Sequence, residues 1–273
     1  SAYATNGYFS HGYGMKAKGM AGAATATHDD AFFGANNPAA AAFAGNRMDL
    51  GVDLFMPIRE ASRAGSTGNP MIPPAGTPPL DGTSESDSEY FLIPEFGYNR
   101  MINSNLALGV TVYGNGGMNS DYNADFFGGT TNILGGSGNL GVDLIQLIIA
   151  PTVAYQIAPN HSLGISPLIG YQAFEANGID SFGLISTDPT SLTNNGHDDA
   201  FGFGVRIGYM GKITPTVTIG AAYASKISFD EFDDYAGLFA EQGGFDIPEN
   251  YNLGVAWQAT PAVKLALDYQ RIN

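Results

Sequence analysis

After about residue 45, apolar and polar residues alternate along this chain in paired segments. From Phe201 the odd positions read Phe201, Phe203, Val205, Ile207, Tyr209 and Ile213, and the even ones Gly202, Gly204, Arg206, Gly208, Met210 and Lys212. A period of two with one wholly apolar face describes a strand lying between two different environments. The next segment sets Val217, Ile219, Ala221, Tyr223, Ile227 and Phe229 against Thr218, Gly220, Ala222, Ala224 and Lys226. Tyr251, Leu253, Val255 and Trp257 then face away from Asn252, Gly254 and Ala256. Val263, Leu265, Leu267 and Tyr269 do the same against Lys264, Ala266 and Asp268.

The joints alternate too. Residues 157–162, 212–217 and 258–263 are tight turns built on Ala-Pro or Thr-Pro, and 100–105 is a Pro-less fourth. Long polar, Gly-rich stretches separate the pairs, roughly 59–87, 115–142, 176–199 and 231–249. Short turns on one rim and long loops on the other are the signature of an outer-membrane β-barrel. A water-soluble β-sandwich also alternates. Its polar face would be charged, whereas this one is small and Gly-rich, and Tyr and Phe recur near strand ends where aromatic girdles sit. The expected fold is all-β, an antiparallel transmembrane barrel. Its strands are expected at 47–58, 89–101, 105–114, 143–157, 161–174, 200–213, 216–229, 249–259 and 262–272. Most reach the ~9–11 residues that a tilted strand needs to cross a bilayer. Nine is odd, bacterial single-chain barrels have even strand numbers, and an open edge in lipid leaves backbone groups unpaired. Truncation of a longer barrel is the favoured explanation, with completion by other chains the alternative.

Composition narrows the partners. Of 273 residues 44% are hydrophobic and only 14% charged, with 37 Gly, 14 Tyr, 17 Phe and no Cys. Soluble domains carry nearer a quarter charged residues. Mean hydropathy is -0.03, and no apolar run near twenty residues exists, which excludes a transmembrane helix. A formal charge of -15 makes nucleic acid a poor partner. Absence of Cys suits an oxidising envelope compartment. Ser1–Ala4 reads as a mature start left after signal cleavage.

Residues 1–45 lack strand alternation and form the first expected unit, a plug; residues 46–273 form the barrel. Gly7, Gly12, Gly14, Gly19 and Gly22 punctuate an Ala-rich stretch. Lys18–Thr27 and Pro38–Phe43 are candidate short helices, with Asn37 as N-cap and Pro38 at the first helical position. Gly19-Met-Ala-Gly-Ala-Ala24, then Asp29-Asp-Ala31 and Asn37-Pro-Ala39, resemble the N-terminal hatch of FadL-type outer-membrane channels for long-chain fatty acids and hydrocarbons. Gly114-Asn-Gly-Gly-Met-Asn119 is similar to the stretch following the third strand of many members. The resemblance runs through the whole chain in order and covers about two thirds of the family's usual fourteen-strand barrel.

The resemblance implies a mechanism. Hydrophobic substrate is captured between outer loops, passes to a pocket near the hatch, and leaves sideways into the membrane through a gap beside a kinked third strand. Burial of an apolar tail is worth ~0.8 kcal/mol per CH₂, so a dry pocket can take it up. Gly114, Gly116 and Gly117 follow the third strand, where glycines end or bend strands; a plain strand-to-loop exit is the bland alternative. Candidate ligand contacts are Met15, Met20, Phe32, Phe33 and Phe43 in the hatch, and Met118, Tyr122, Phe126 and Phe127 in the third loop. Met side chains adapt to variable tails. Ordinary packing is the competing reading of each. Inward cations are Arg206, Lys226 and Lys264; Arg206 is the best single candidate for a substrate carboxylate, with pairing to a hatch acid such as Asp29 or Asp30 the favoured reading.

Other chemistry is thin. His11, His28, His161 and His197 show no metal-ligand spacing. Asp230–Asp234 and His197–Asp199 carry oxygens of the kind Ca²⁺ takes, but solvated acidic loops are the commoner case. No Gly-x-Ser-x-Gly, P-loop or Cys motif is present, so no cofactor, no metal and no enzymatic activity are expected. The expected function is uptake of hydrophobic molecules across the bacterial outer membrane, with outer-membrane lipid around it. A structural or adhesin-like barrel is the alternative, and the apolar hatch residues argue against it.

Overall fold

The computed structural model describes residues 5–7, 9–65, 81–125 and 130–273. Its elements in chain order begin with β1 (Thr5–Asn6), β2 (Phe9–Ser10), helix α1 (Met15–Gly19), a 3-10 turn Pro38–Ala40 and helix α2 (Ala41–Ala44). Then come β3 (Arg47–Phe55), β4 (Glu60–Arg63), β5 (Gly82–Glu85), β6 (Phe91–Met101), β7 (Leu106–Tyr122), β8 (Leu140–Ala158) and β9 (His161–Asn177). The last are β10 (Asp198–Lys212), β11 (Val217–Ala224), β12 (Ser228–Phe229), β13 (Asn250–Thr260) and β14 (Val263–Ile272). Long strands join neighbours in sequence order, β3-β6-β7-β8-β9-β10-β11-β13-β14, and every pairing is antiparallel. The sheet curls into part of a barrel. All nine expected long strands are present.

Alternation sets the two faces. Leu108, Val153, Ile165, Ile207, Tyr223 and Tyr251 lie in one cross-strand row. With Leu253, Val255, Leu265 and Leu267 this outer surface is mostly exposed and apolar; Leu267 alone keeps 71% of its area. Such a face in water would be an aggregation surface; in a bilayer it is the solvated one. Arg206, Gly208 and Lys264 lie on the opposite face, as the period of two requires.

Four expectations need correcting. β7 does not stop near Gly114 but runs on to Tyr122, so the third loop is shorter than 115–142. The stretch 59–87 holds a hairpin, β4 with β5. The first helix is Met15–Gly19 rather than Lys18–Thr27, because Gly14 at φ 86 starts it and Gly22 at φ 89 turns the chain away. The expected strand 216–229 breaks after Ala224. Arg206 faces Ala224, but Gly202 faces Phe229, so one residue is inserted on the later strand. A one-residue slip exchanges faces. Ile227 and Phe229 therefore turn inward, with the Phe229 ring over Gly170 and Gly202, and Lys226 stays exposed and pairs with Asp246.

Candidate functional site

Residues 9–46 lie on the inner face of the sheet, and glycines there set how closely they approach. A Cβ on Gly164 or Gly208 would collide with Asn37 or Pro38, one on Gly220 with the Thr25 carbonyl, and one on Gly97 with that of Ala31. Asn37 is fully buried. Its Oδ1 accepts from the Ala39 N–H (3.1 Å), and its Nδ2 donates to the carbonyls of Thr25 (2.8 Å) and Tyr209 (2.9 Å). Asn37-Pro-Ala39 thus caps its own turn, as expected, and also pins the segment to β10.

Inward acids tie down the rest. Asp268 accepts from the N–H groups of Ala24 (2.9 Å) and Thr25 (2.8 Å), and Asp49 from that of Ala31 (2.8 Å). Glu95 accepts from the Gly14 N–H (3.1 Å) and pairs with Lys18 (3.0 Å), which also pairs with Asp53 (2.9 Å). Lys264, not Arg206, pairs with Asp29. Arg206 instead donates through Nη1 to the carbonyls of Gly34 and Ala35, so its expected partnership with Asp29 or Asp30 is not what holds it. Burial raises the carboxyl pKa of Asp29, but the hydrogen bond and charge of Lys264 outweigh it and hold it below the ordinary value. Asp30 lacks such a partner, and burial pushes its pKa up. Burial, with Lys212 nearby, pushes His28 down.

The wall itself is interrupted. β6 and β7 pair from Met101↔Ala107 to Phe96↔Val112 and no further, although β6 continues to Phe91 and β7 to Tyr122. Pro94 lies in the half of β6 that pairs with β3 but not with β7, where an edge-like strand tolerates it. On β7 the pairing to β8 skips from Gly114↔Leu147 to Gly116↔Gln146, leaving Asn115 as a bulge. The glycine stretch therefore bends the strand rather than ending it. The freed edge of β7 is taken by the N-terminal segment, where Phe9 pairs with Gly116. Phe9 and Tyr13 are buried behind the interruption, with the Tyr13 ring 4.6 Å from that of Tyr113. A cavity of about 400 Å³ opens from Phe9 and Tyr13 past Met20 and Arg206 to Asn252 and Asp268. Two buried polar atoms in its lining residues, Nε of Arg206 and Oδ1 of Asp268, make no hydrogen bond.

Of the candidate ligand contacts, Met20 and Arg206 line this cavity. Phe32 packs its ring on Gly14, and Phe33 on Gly109. Phe43 sits under Lys212, 4.4 Å from ring centre to Nζ, and beside His28. Met15 is exposed. Met118 packs with Leu144 and Phe174 beneath Phe232, Tyr235 and Phe239 of the segment before β13. Tyr122 ends β7 and bridges to Ser86. Phe126 and Phe127 lie outside the described residues. Sequence reasoning missed Phe9, Tyr13 and Asn115. Aromatic residues among glycines were a usable signal for the first two; a bulge leaves no mark in alternation until its partner strand is known.

A family model described as outer membrane protein transport protein (OMPP1/FadL/TodX) matches residues 2–272. No curated protein matches the chain. Among solved structures, the Pseudomonas putida toluene transporter TodX is similar at TM-score 0.70 and 19% identity, over 96% of this chain and 70% of that one. The Ralstonia pickettii toluene transporter TbuX gives 0.69 and 17%, over 96% and 72%. A Pseudomonas aeruginosa FadL homologue gives 0.64 and 17%, over 97% and 69%. At these identities the likeness establishes the fold.

Proposed function

Because the chain belongs to the outer membrane protein transport (OMPP1/FadL/TodX) family of the bacterial outer membrane, we propose that it takes up hydrophobic small molecules by lateral release through its own wall. The observation that carries this reading is the halted β6–β7 pairing, sealed from inside by Phe9 and Tyr13, which also line the 400 Å³ cavity. Residues 1–45 act as a hatch in this account and 46–273 as the wall. Substrate reaches the cavity from the outer loops, where Met118, Phe174 and Phe232 form an apolar cluster. It leaves between β6 and β7 without passing through water. Arg206, which lines the cavity, offers its guanidinium to a substrate that carries a carboxylate. Fatty acids and aromatic or aliphatic hydrocarbons are the substrate classes; two of the solved neighbours are toluene transporters.

Filling the cavity tests the route. Met20→Trp and Ala266→Trp place bulk among the lining residues and leave the strand pairing alone. Cells carrying either variant at normal surface level should lose most of their uptake of toluene and of a long-chain fatty acid. Normal uptake of both would leave the structural reading of the barrel.

A further inference from the structure

A continuous ladder of buried side-chain hydrogen bonds crosses three adjacent strands inside the wall. Tyr13 Oη donates to the backbone carbonyl and to Oδ1 of Asn115, 3.0 Å each. Asn115 Nδ2 donates to Gln146 Oε1 (3.0 Å), and Gln146 Nε2 to Gln172 Oε1 (3.1 Å). Gln172 Nε2 donates to the carbonyl of Phe245 (3.0 Å). Gln146 and Gln172 stand opposite each other in the β8–β9 register, beside the Asn115 bulge. Every donor points the same way, from the N-terminal segment toward the segment between β12 and β13. All four side chains are buried.

The two ends of the ladder belong to parts with different tasks. Tyr13 and Phe9 close the gap in the wall. Phe245 packs against Phe239 in the aromatic cluster over Leu144 and Phe174, and the Ile227↔Ile247 bridge is the foot of that segment. A buried amide that loses its partner is left unsatisfied, and bonds joined head to tail strengthen one another. Displacing Phe245 therefore strands Gln172, which weakens the hold of Gln146 on Asn115 and of Asn115 on Tyr13. We propose that Asn115, Gln146 and Gln172 form a latch coupling the outer segment around Phe245 to the seal made by Phe9 and Tyr13. An apolar molecule entering the cluster beneath Phe239 and Phe245 then releases the seal it is about to pass. The proposal rests on the uptake reading above. It assigns positioning residues, since none of the three amides lines the cavity.

The chain has no cysteine, so one introduced thiol reports on the seal alone. Ser10→Cys, on the strand that pairs with β7, is labelled with a maleimide in outer-membrane fragments. Gln146→Leu with Gln172→Leu keeps the side-chain volume and removes the ladder. Labelling should become about tenfold faster, a coupling of ordinary size. Gln172→Glu keeps the shape; its protonated carboxyl still donates to the Phe245 carbonyl and its ionised form does not, so labelling relative to the parent should speed up as pH rises, whereas a packing role predicts no such dependence. In a second protein, an oxidised I227C/I247C pair clamps the outer segment and should slow labelling. Unchanged rates in the Leu pair, the Glu variant and the clamped protein overturn the latch. The route is tested separately by an F9C/G116C disulfide, which should stop substrate uptake. Uptake that persists through a closed disulfide removes lateral release, while labelling rates that follow the ladder still support the latch.

Discussion

Single residues on the inner wall decide how closely the N-terminal segment can sit. Gly208 faces Asn37 with no room for a side chain. Gly208→Val should expel Asn37 and leave its amide unpaired, a loss of about 1–3 kcal/mol. Limited proteolysis should then cut residues 9–46 while β8–β14 remain protected; protection of both would show that the contact is dispensable. His28 carries a pH dependence. Its ordinary pKa is 6.5 and burial lowers it, so the folded chain holds fewer protons there than the unfolded one. That contribution is fully present above pH 6.5 and is lost as pH falls through the lowered folded value. Asp30, with a raised pKa, works in the opposite sense: its contribution is present below its ordinary 3.8 and is lost as pH rises through the raised folded value. Between pH 7 and 5 the N-terminal segment should loosen, and His28→Gln should remove most of that slope. Proteolysis rates across pH give the comparison, and identical slopes in both proteins would clear His28.

Among the elements, the two irregularities carry the most consequence. One extra residue at Asn115 bends β7 away from β6, and one after Ala224 turns Ile227 and Phe229 inward. Deleting Asn115 should let β7 continue the register that runs to Phe96↔Val112. Leu92 would then stand opposite the residue now numbered Gly117. A L92C/G117C pair should cross-link in the deleted chain and not in the parent, and uptake should fall because the gap has closed. Cross-linking in the parent would show that the wall is continuous there. Four of the strands run 15–19 residues, longer than a crossing needs. Their surplus carries a polar outward row, Asn119, Asp143 and Glu175, continued by His197 just before β10, which lies 2.9 Å from Glu175 and 3.1 Å from Asp143.

At the scale of the molecule, the sheet has two edges. Among the described residues, β3 pairs only with β6 and β14 only with β13. Nine successive antiparallel strands leave these two edges running in the same direction. Antiparallel closure therefore takes an odd number of further strands, and a second copy inserted the same way round offers only edges of that same direction. An uncovered edge costs several kcal/mol for each unpaired group in hydrocarbon. Val52 and Leu267, one on each edge strand, should accordingly fail to form a disulfide within one chain when both are replaced by Cys; a cross-link would mean that the nine strands close on themselves.

The nine strands, their lipid-facing side and the capped Asn37-Pro-Ala39 turn were legible in the sequence, because each is governed by neighbours two or three positions away. Alternation assigns a face without knowledge of the partner strand, and an Asn before a Pro caps its own first turn. Phe9 and Tyr13 as a seal, Arg206 held by carbonyls and Lys264 rather than Arg206 on Asp29 were decided by the tertiary structure alone. So were the inward Phe229 and the amide ladder, whose partners lie as far apart as Tyr13 and Asn115 or Gln172 and Phe245. A bulge of one residue inverts everything beyond it, and nothing local in the alternating pattern announces where the partner strand will skip.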